Sequence, residues 1–196
     1  MSRSPKGVAQ RARILDTAFS VLVEHGYERT SLQRIARAAG VTTSGVMHYF
    51  ASKAELFTEV LKYRRRDWDE RRPAGDAIVN YVEASADNAD RDGLVRLFHH
   101  LAVDGTDAPG PVRSFFTDHY EQAVRRLSRS IRERRPDLDE RSVRSRARAV
   151  VALSDGLQLQ WLYDRDLDLY DEYRRAVELL IEHPTNHPAP PASIAD

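Results

Sequence analysis

The chain has 196 residues, of which 41% are hydrophobic and 31% are charged, and its formal net charge is zero. This composition is that of a globular protein, and the absence of cysteine excludes disulfides, thiol nucleophiles, iron–sulfur clusters and cysteine-ligated zinc. The longest apolar run, at 149–153, is far shorter than the roughly 20 residues of a spanning helix, and the polar start has no signal-peptide core, so we expect a cytoplasmic protein without membrane contact.

Positive charge is concentrated at the N-terminal end of the chain. Residues 1–72 contain 14 Lys and Arg against 8 Asp and Glu, whereas residues 73–196 contain 16 against 22. Because a polyanion binds where cations accumulate, any nucleic-acid contact is expected in the N-terminal part.

Apolar residues recur at helical spacing along the chain and no stretch alternates as a strand does, so the sequence predicts an all-α fold of about nine helices. The first helix is predicted over about residues 7–25. Its apolar stripe consists of Ile14, Leu15, Ala18, Phe19 and Leu22. Gly26 is predicted to end this helix, because a residue without Cβ accepts the left-handed cap conformation.

Two short helices are predicted next. Thr30 and Gln33 have the spacing of a capping box, which predicts a second helix that ends at Gly40. The buried face of this helix is formed by Leu32, Ile35, Ala36 and Ala39. Thr42 offers an N-cap hydroxyl for a third helix, which is predicted to run through Tyr49.

Longer helices follow. Ser52 and Glu55 form a second capping box, which opens a helix to about Arg72, and Pro73 marks a boundary. Further helices are predicted at about 74–90, 93–104, 111–134, 139–164 and 168–182. We therefore expect an N-terminal unit at 1–51, a connecting helix at 52–72, a larger helical domain at 73–183 and a disordered tail at 184–196.

Three residues of the N-terminal unit, Ala36, Gly40 and Val46, have the spacing of a helix-turn-helix. Two short helices that cross steeply need a small residue where they touch, a glycine in the turn and an apolar anchor on the second helix. This arrangement leaves the outer face of residues 43–49 free to enter a groove of DNA.

Residues 8–58 also carry motifs at fixed spacing. They are Thr30-Ser31, Ile35-Ala36, Ala39-Gly40-Val41 and the run Val46-Met47-His48-Tyr49-Phe50-x-Ser52-Lys53-x-x-Leu56-Phe57. This pattern resembles the TetR family of transcriptional regulators, and the segment at 155–162 resembles the penultimate helix of many such proteins. The resemblance implies a three-helix helix-turn-helix domain followed by a helical ligand-binding and dimerisation domain. It further implies a repressor that a small-molecule effector releases from a palindromic operator in double-stranded DNA.

The resemblance implies which residues meet DNA. We expect these contacts from Thr30, Gln33, Thr42, Thr43, Ser44, Gly45, His48, Tyr49 and Lys53. Thr43, Ser44 and Gly45 begin the recognition helix, where short hydroxyls can read base edges. Lys53 matches a lysine that meets a phosphate at a helix start, a position where a cation otherwise opposes the helix dipole.

Some of these residues have two possible roles. Gln33 either closes the capping box or reads a base. Gly45 either admits close approach of DNA or permits tight helix packing. Tyr49 either contacts DNA or seals the core of the small domain, while Phe50 is expected mostly in that core.

The C-terminal helices are implied to form a four-helix interface with a twin subunit, which would place two recognition helices about one DNA turn apart. The alternative is that they bury only against their own chain. Their apolar residues include Val150, Val151, Leu153, Leu157, Leu162, Val177, Leu180 and Ile181. Aromatic residues between the domains are compatible with an effector pocket, and Phe98, Phe116, Tyr120 and Trp161 are the expected ligand contacts.

Other function classes are disfavoured. The chain has no Glu-x-x-His pair for a di-iron bundle, no His-Glu-x-x-His, no phosphate-binding glycine loop and no Gly-x-Ser-x-Gly. We therefore expect no catalytic residues, no metal site and no cofactor. A DNA-binding architectural protein that only dimerises, without an effector, stays open as an alternative.

Overall fold

The computed structural model describes residues 5–71, 75–87, 92–107 and 110–182, without the side chains of 67–71 and 85–87. Within these ranges the chain forms nine α-helices and no strand, which confirms the predicted all-α fold. The helices are α1 (Pro5–Arg29), α2 (Leu32–Ala38), α3 (Thr43–Met47), α4 (Lys53–Arg71), α5 (Ala77–Asp87), α6 (Asp92–Asp104), α7 (Pro111–Arg134), α8 (Glu140–Tyr163) and α9 (Leu169–Glu182). Pro73 and the predicted disordered tail lie outside the described residues.

Helix α1 changes direction at Gly26. The helix extends past the predicted end to Arg29, but Gly26 has φ of 75° and ψ of 167°, which interrupts the helical backbone. Only glycine takes this conformation without a steric penalty. The long apolar stripe therefore ends at Gly26, as predicted, and a single short turn follows it.

The predicted capping box of Thr30 and Gln33 is wrong by one residue. Ser31 is the N-cap of α2, and its hydroxyl accepts a hydrogen bond from the amide of Arg34 at 3.2 Å. Thr30 is buried, and its hydroxyl instead donates to the carbonyl of Gly26 at 2.7 Å. The two adjacent hydroxyls therefore have different partners. Thr30 donates to a carbonyl near the end of α1, and Ser31 accepts from an amide at the start of α2.

The turn between α2 and α3 has the predicted geometry. Gly40 has φ of 63°, in the left-handed region, and the amide of Val41 donates to the carbonyl of Ala36 at 3.0 Å. Ala36 and Val46 are 2% and 0% exposed, so both lie in the helix contact. These observations confirm the helix-turn-helix.

Helix α3 is shorter than predicted. It ends at Met47, and the turn after it is tighter, because the amide of Tyr49 donates to the carbonyl of Val46 three residues back, at 3.0 Å. His48 is its C-cap residue. At its start the predicted cap is confirmed, since the amide of Gly45 donates to the Thr42 hydroxyl at 3.0 Å.

One hydrophobic core extends across the boundary between the two predicted domains. Buried residues of α1 to α4 share it with Leu97, Leu101, Phe115 and Phe116 of α6 and α7. Gly93 lets the start of α6 approach α1, because a Cβ there would lie 3.3 Å from the Cα of Val23. A second core joins α5, α7, α8 and α9. Helices α1 and α4, which flank the helix-turn-helix, are therefore packed directly onto the C-terminal helices.

Candidate DNA interface and interior polar site

The start of α3 combines a firm cap with an accessible surface. The Thr42 hydroxyl lies 3.0 Å from the hydroxyl of Ser44 and also accepts from the amide of Gly45. Thr42 and Ser44 are exposed and Thr43 is partly exposed. Helix α3 therefore presents three neighbouring hydroxyls from a fixed backbone.

The structure gives a local reason for a glycine at position 45. A Cβ at this position would lie 3.2 Å from the Thr42 hydroxyl oxygen and 3.7 Å from the Cβ of Val41. A side chain would therefore press on the oxygen that caps the helix. Neither of the two roles considered for Gly45 included this contact.

The residues after α3 divide between surface and core. His48 is exposed, and its ring meets the Tyr49 ring edge-on with centroids 5.2 Å apart. Tyr49 is partly exposed and packs against the N-terminal core, so its two predicted roles are compatible. Phe50 is 1% exposed, as expected for a core residue, and the Arg11 guanidinium lies 5.1 Å from its ring centre.

Gln33 lines an open polar groove beside the turn. The groove has a volume of about 350 Å³ and is lined by His25, Ser31, Gln33, Arg34 and Arg37. Gln33 is exposed and is not part of the α2 cap, so its side chain is available for another partner. Thr30 is 1% exposed and does not reach this surface.

Lys53 lies at the junction of α1 and α4. Its ammonium donates to the carbonyl of Tyr27 at 2.6 Å and lies 3.9 Å from the centre of the Tyr27 ring. Burial lowers the pKa of Lys53, and Glu28 partly opposes this shift. An ammonium has three N–H donors, so two remain for an anion after the bond to Tyr27.

The four predicted ligand contacts do not form one group. Phe98, Phe116 and Tyr120 lie together, with ring centroids 5.0 Å apart for Phe98 and Phe116 and 6.2 Å apart for Phe116 and Tyr120. Trp161 belongs to a separate cluster with Val95 and Leu169. The Arg165 guanidinium covers its ring at 3.9 Å.

A polar group lies beside the three clustered aromatic residues. The Tyr120 hydroxyl donates to Asp155 Oδ2 at 3.0 Å, and burial raises the pKa of Asp155 to about 6 although this hydrogen bond opposes the shift. One turn further along α8, the Gln158 amide donates to the Ser154 hydroxyl at 3.1 Å. The Nε2 atom of His99 is buried and has no hydrogen-bond partner among the described residues.

Arg65 connects this region to α4. Its guanidinium donates to Nδ1 of His119 at 3.1 Å and to the side-chain carbonyl of Gln122 at 3.2 Å. Burial, and then the charge of Arg65, lower the pKa of His119 to about 4, so this histidine is neutral at pH 7. Helix α4 thereby links the end of the helix-turn-helix to the residues that flank Tyr120.

The apolar residues predicted for a subunit interface mostly pack inside the chain. Val150, Val151, Val177 and Ile181 are at most 5% exposed and belong to the second core. A different stripe faces outward on α8, at Ala152, Gly156, Leu159 and Tyr163. The exposed fractions of Leu159, Tyr163 and Leu179 are 43%, 93% and 59%.

The sequence predicted His99 among the aromatic and histidine residues of a possible pocket, but it did not identify Asp155 or Arg65 as members of an interior site. Each stands in a helix among other polar residues, where a solvated position is the ordinary expectation. The available signal was the position of Asp155 one turn before Gln158 on a helix whose neighbouring residues are apolar.

In the part of the chain that the structure describes, no helix is both long and apolar enough to cross a bilayer.

The helix-turn-helix, its exposed hydroxyls and the groove beside it define a DNA-binding protein. Residues 14–60 match the family model described as bacterial regulatory proteins, tetR family. The chain is 27% identical to the HTH-type transcriptional regulator AcrR of Shigella flexneri over 203 residues, which cover 93% of each chain. Residues 14–60 therefore form a DNA-binding domain of the tetR family, in a chain that resembles a transcriptional regulator over nearly its whole length.

Solved structures share this fold. A transcriptional regulator from Saccharomonospora viridis, crystallised in complex with choline, superposes with a TM-score of 0.71 at 21% identity, over 90% of this chain and 97% of that one. FadR from Bacillus subtilis, crystallised with stearoyl-CoA, gives a TM-score of 0.67 at 19% identity, over 87% of this chain and 97% of that one. At these identities the similarity establishes the fold alone.

Proposed function

We propose that this regulator is a cytoplasmic homodimeric repressor that binds a palindromic operator and is released by a small-molecule effector. The observation that carries this proposal is the capped helix α3, which presents the hydroxyls of Thr42, Thr43 and Ser44 at the surface of a helix-turn-helix. Repression is supported by relatives such as the acrEF/envCD operon repressor of Escherichia coli, which is 34% identical over 62 residues. An effector is supported by the neighbours that hold choline and stearoyl-CoA.

The proposed DNA contacts follow from exposure. Thr43 and Ser44 read base edges, while Thr42, His48 and Tyr49 meet the backbone or adjacent bases. Gln33, which lines the polar groove on α2, contacts a base edge or a phosphate. Gly45 gives close approach of the α3 backbone to DNA. Thr30, which is buried, contributes by fixing the turn before α2 and not by contact.

Substitution of Thr43 by alanine is expected to change which bases the protein selects while it retains most non-specific affinity. The side chain carries no part of the α3 cap, which rests on Thr42, so the fold should be unaffected. Selection from a random duplex pool measures this directly and, for the parent protein, should return a palindrome with half-sites about one helical turn apart. A selected pool without any consensus would contradict the proposed function. An unchanged consensus for Thr43→Ala would show that Thr43 does not contact base edges.

The proposed subunit interface is the outward stripe of α8 together with Leu179 of α9. Ala152, Gly156, Leu159 and Tyr163 are spaced by four, three and four residues, so they form one helical face. The Gly156 position has open space around it, which lets a second helix approach closely. A two-fold axis at this stripe would pack α8 and α9 against their copies.

Replacement of Leu159 by glutamate is expected to separate the dimer, because two carboxylates would lose their hydration at the two-fold contact. Sedimentation should then give half the parent mass, and affinity for the full palindrome should fall by about 100-fold or more, as expected when two linked half-sites become independent. Val103→Glu is the matched control, since Val103 is 70% exposed on α6, away from this stripe. A parent protein that sediments as a monomer, or an unaltered mass for Leu159→Glu, would refute this interface.

The proposed domain roles follow the same boundaries as the sequence predicts. Residues 1–51 read DNA, residues 52–72 connect, and residues 73–183 bind the effector and dimerise. Arg65 on α4 contacts His119 and Gln122, which flank Tyr120. A ligand at Phe98, Phe116 and Tyr120 would therefore act on α4 through these contacts, provided that it binds the two conformations unequally. Trp161, in its separate cluster, belongs to this site only if the cluster rearranges.

A further inference from the structure

Asp155 lies where tyrosines from three helices converge. Tyr120 of α7 donates to its carboxylate at 3.0 Å. Burial, followed by the negative charge of Asp155, raises the pKa of Tyr81 on α5. The pKa of Tyr173 on α9 is raised chiefly by burial, with further contributions from Tyr81 and Asp155. The Tyr81 and Tyr173 rings are themselves neighbours, with centroids 6.3 Å apart.

This carboxylate has no cationic partner among the described residues. Its one hydrogen bond comes from the neutral hydroxyl of Tyr120, and no positive charge contributes to its pKa. Buried charges in proteins are ordinarily paired, so an unpaired carboxylate in the interior is costly unless something else supplies the cation. Asp155 and Tyr120 are each only partly buried, which leaves them accessible to a ligand.

We propose that Asp155 is the anchor of a cationic effector, an organic ammonium whose alkyl groups rest against the ring of Tyr120. This inference rests on the proposed function and assigns the chemical class of its effector. A carboxylate supplies the countercharge, and tyrosine faces attract a cation through the ring quadrupole.

The other ionisable groups around Asp155 keep one charge state near neutral pH. The raised pKa values of Tyr81, Tyr120 and Tyr173 hold their hydroxyls neutral. Burial lowers the pKa of His99 on α6 and of His119 on α7, so both are neutral at pH 7. Arg65 on α4 is charged and engaged with His119 and Gln122. The part of the pH dependence of cation binding that Asp155→Asn removes therefore reports on Asp155.

Calorimetric titration of the full-length protein with three probes of similar size tests the proposal. Benzyltrimethylammonium carries a permanent positive charge, benzyl alcohol is neutral and phenylacetate is negative. We expect the parent protein to bind the cation about tenfold tighter than the alcohol, and Asp155→Asn to lose about tenfold for the cation with little change for the alcohol. Asp164→Asn, at the exposed C-cap of α8, is the matched control.

Acidification of the parent protein gives the same test without a substitution. Between pH 7.5 and pH 5 the affinity for benzyltrimethylammonium should fall about fivefold, because roughly a tenth of the Asp155 carboxylates stay ionised at pH 5 when the pKa is about 6, and the protonated form should bind about tenfold more weakly, as Asp155→Asn does. Asp155→Asn should show no such dependence. Preference for phenylacetate, or equal binding of all three probes, would overturn the proposal.

These titrations contain no DNA, which separates the two hypotheses. In a parallel anisotropy assay with the selected operator, benzyltrimethylammonium should release the parent protein and fail to release Asp155→Asn. Operator binding without any cation binding would overturn this inference and leave the repressor proposal standing. Cation binding by a protein that selects no operator would overturn the repressor proposal and leave the cation site standing.

Discussion

Replacement of Lys53 by methionine is expected to weaken binding to every duplex by on the order of 100-fold, because a dimer would lose two charge-assisted phosphate contacts. Each phosphate contact contributes about 0.9 to the slope of log affinity against log salt, so the slope should become less steep by about 1.8. In the structure the ammonium is held by the Tyr27 carbonyl at 2.6 Å and points two further N–H groups elsewhere. Anisotropy titrations over a series of salt concentrations measure both quantities.

Lys62→Met is the matched control for Lys53→Met, because Lys62 pairs with Glu59 at 2.8 Å on the same helix. It should leave the slope unchanged. Lys53→Met also removes a hydrogen bond and a cation–π contact within the protein, so its melting temperature must lie well above the assay temperature. A loss of affinity with the parental slope would mean that Lys53 acts by holding α1 to α4 and meets no phosphate.

Substitution of Asp155 by asparagine is expected to stabilise the protein at pH 7.5. Folding raises the pKa of this carboxyl from 3.8 to about 6, so the folded state binds the proton more tightly and its stability falls as pH rises through this window. A shift of this size corresponds to about 3 kcal/mol at pH 7.5, and partial exposure of the group reduces the expected gain to about 2 kcal/mol. Urea unfolding of both proteins at several pH values measures the difference.

The gain should be largest above pH 7 and nearly absent at about pH 3, where the aspartic acid is neutral in the folded state and mostly neutral in the unfolded state. Tyr120→Phe is a control with the opposite expected effect, since it removes the hydrogen bond from Tyr120 to Asp155 and should lower stability at pH 7.5. An advantage of Asp155→Asn that stays constant from pH 4 to pH 8 would show that the carboxylate is well solvated.

The helices could be predicted from the sequence because their signals are local. Apolar residues of a packed helix must repeat with its period, and Gly26 and Gly40 stand where the backbone needs positive φ. Cap assignments are less determined. Thr30 and Ser31 are adjacent hydroxyl residues, either of which can cap α2, and only the position of the preceding Gly26 carbonyl decides between them.

The candidate site was predictable in part. The exposed residues of α3 follow from the helix-turn-helix pattern, since its spacing fixes which face is buried. The interior site does not follow from any local pattern, because Asp155, Tyr81 and Tyr173 are brought together by three helices that are distant in sequence. A carboxylate in a helix is ordinarily solvated, and only tertiary packing shows that this one is enclosed.

The core shared by α1, α6 and α7 limits how such a regulator can be re-engineered or can evolve. Exchange of residues 1–51 for the DNA-binding domain of another protein would separate the apolar face of α1 from Leu97 and Leu101, against which it packs closely. A transplanted DNA-binding domain would need matching substitutions in the C-terminal helices that it packs against. New operator specificity is therefore more readily reached by replacing the surface side chains of Thr43 and Ser44, which the core does not touch, than by swapping whole modules.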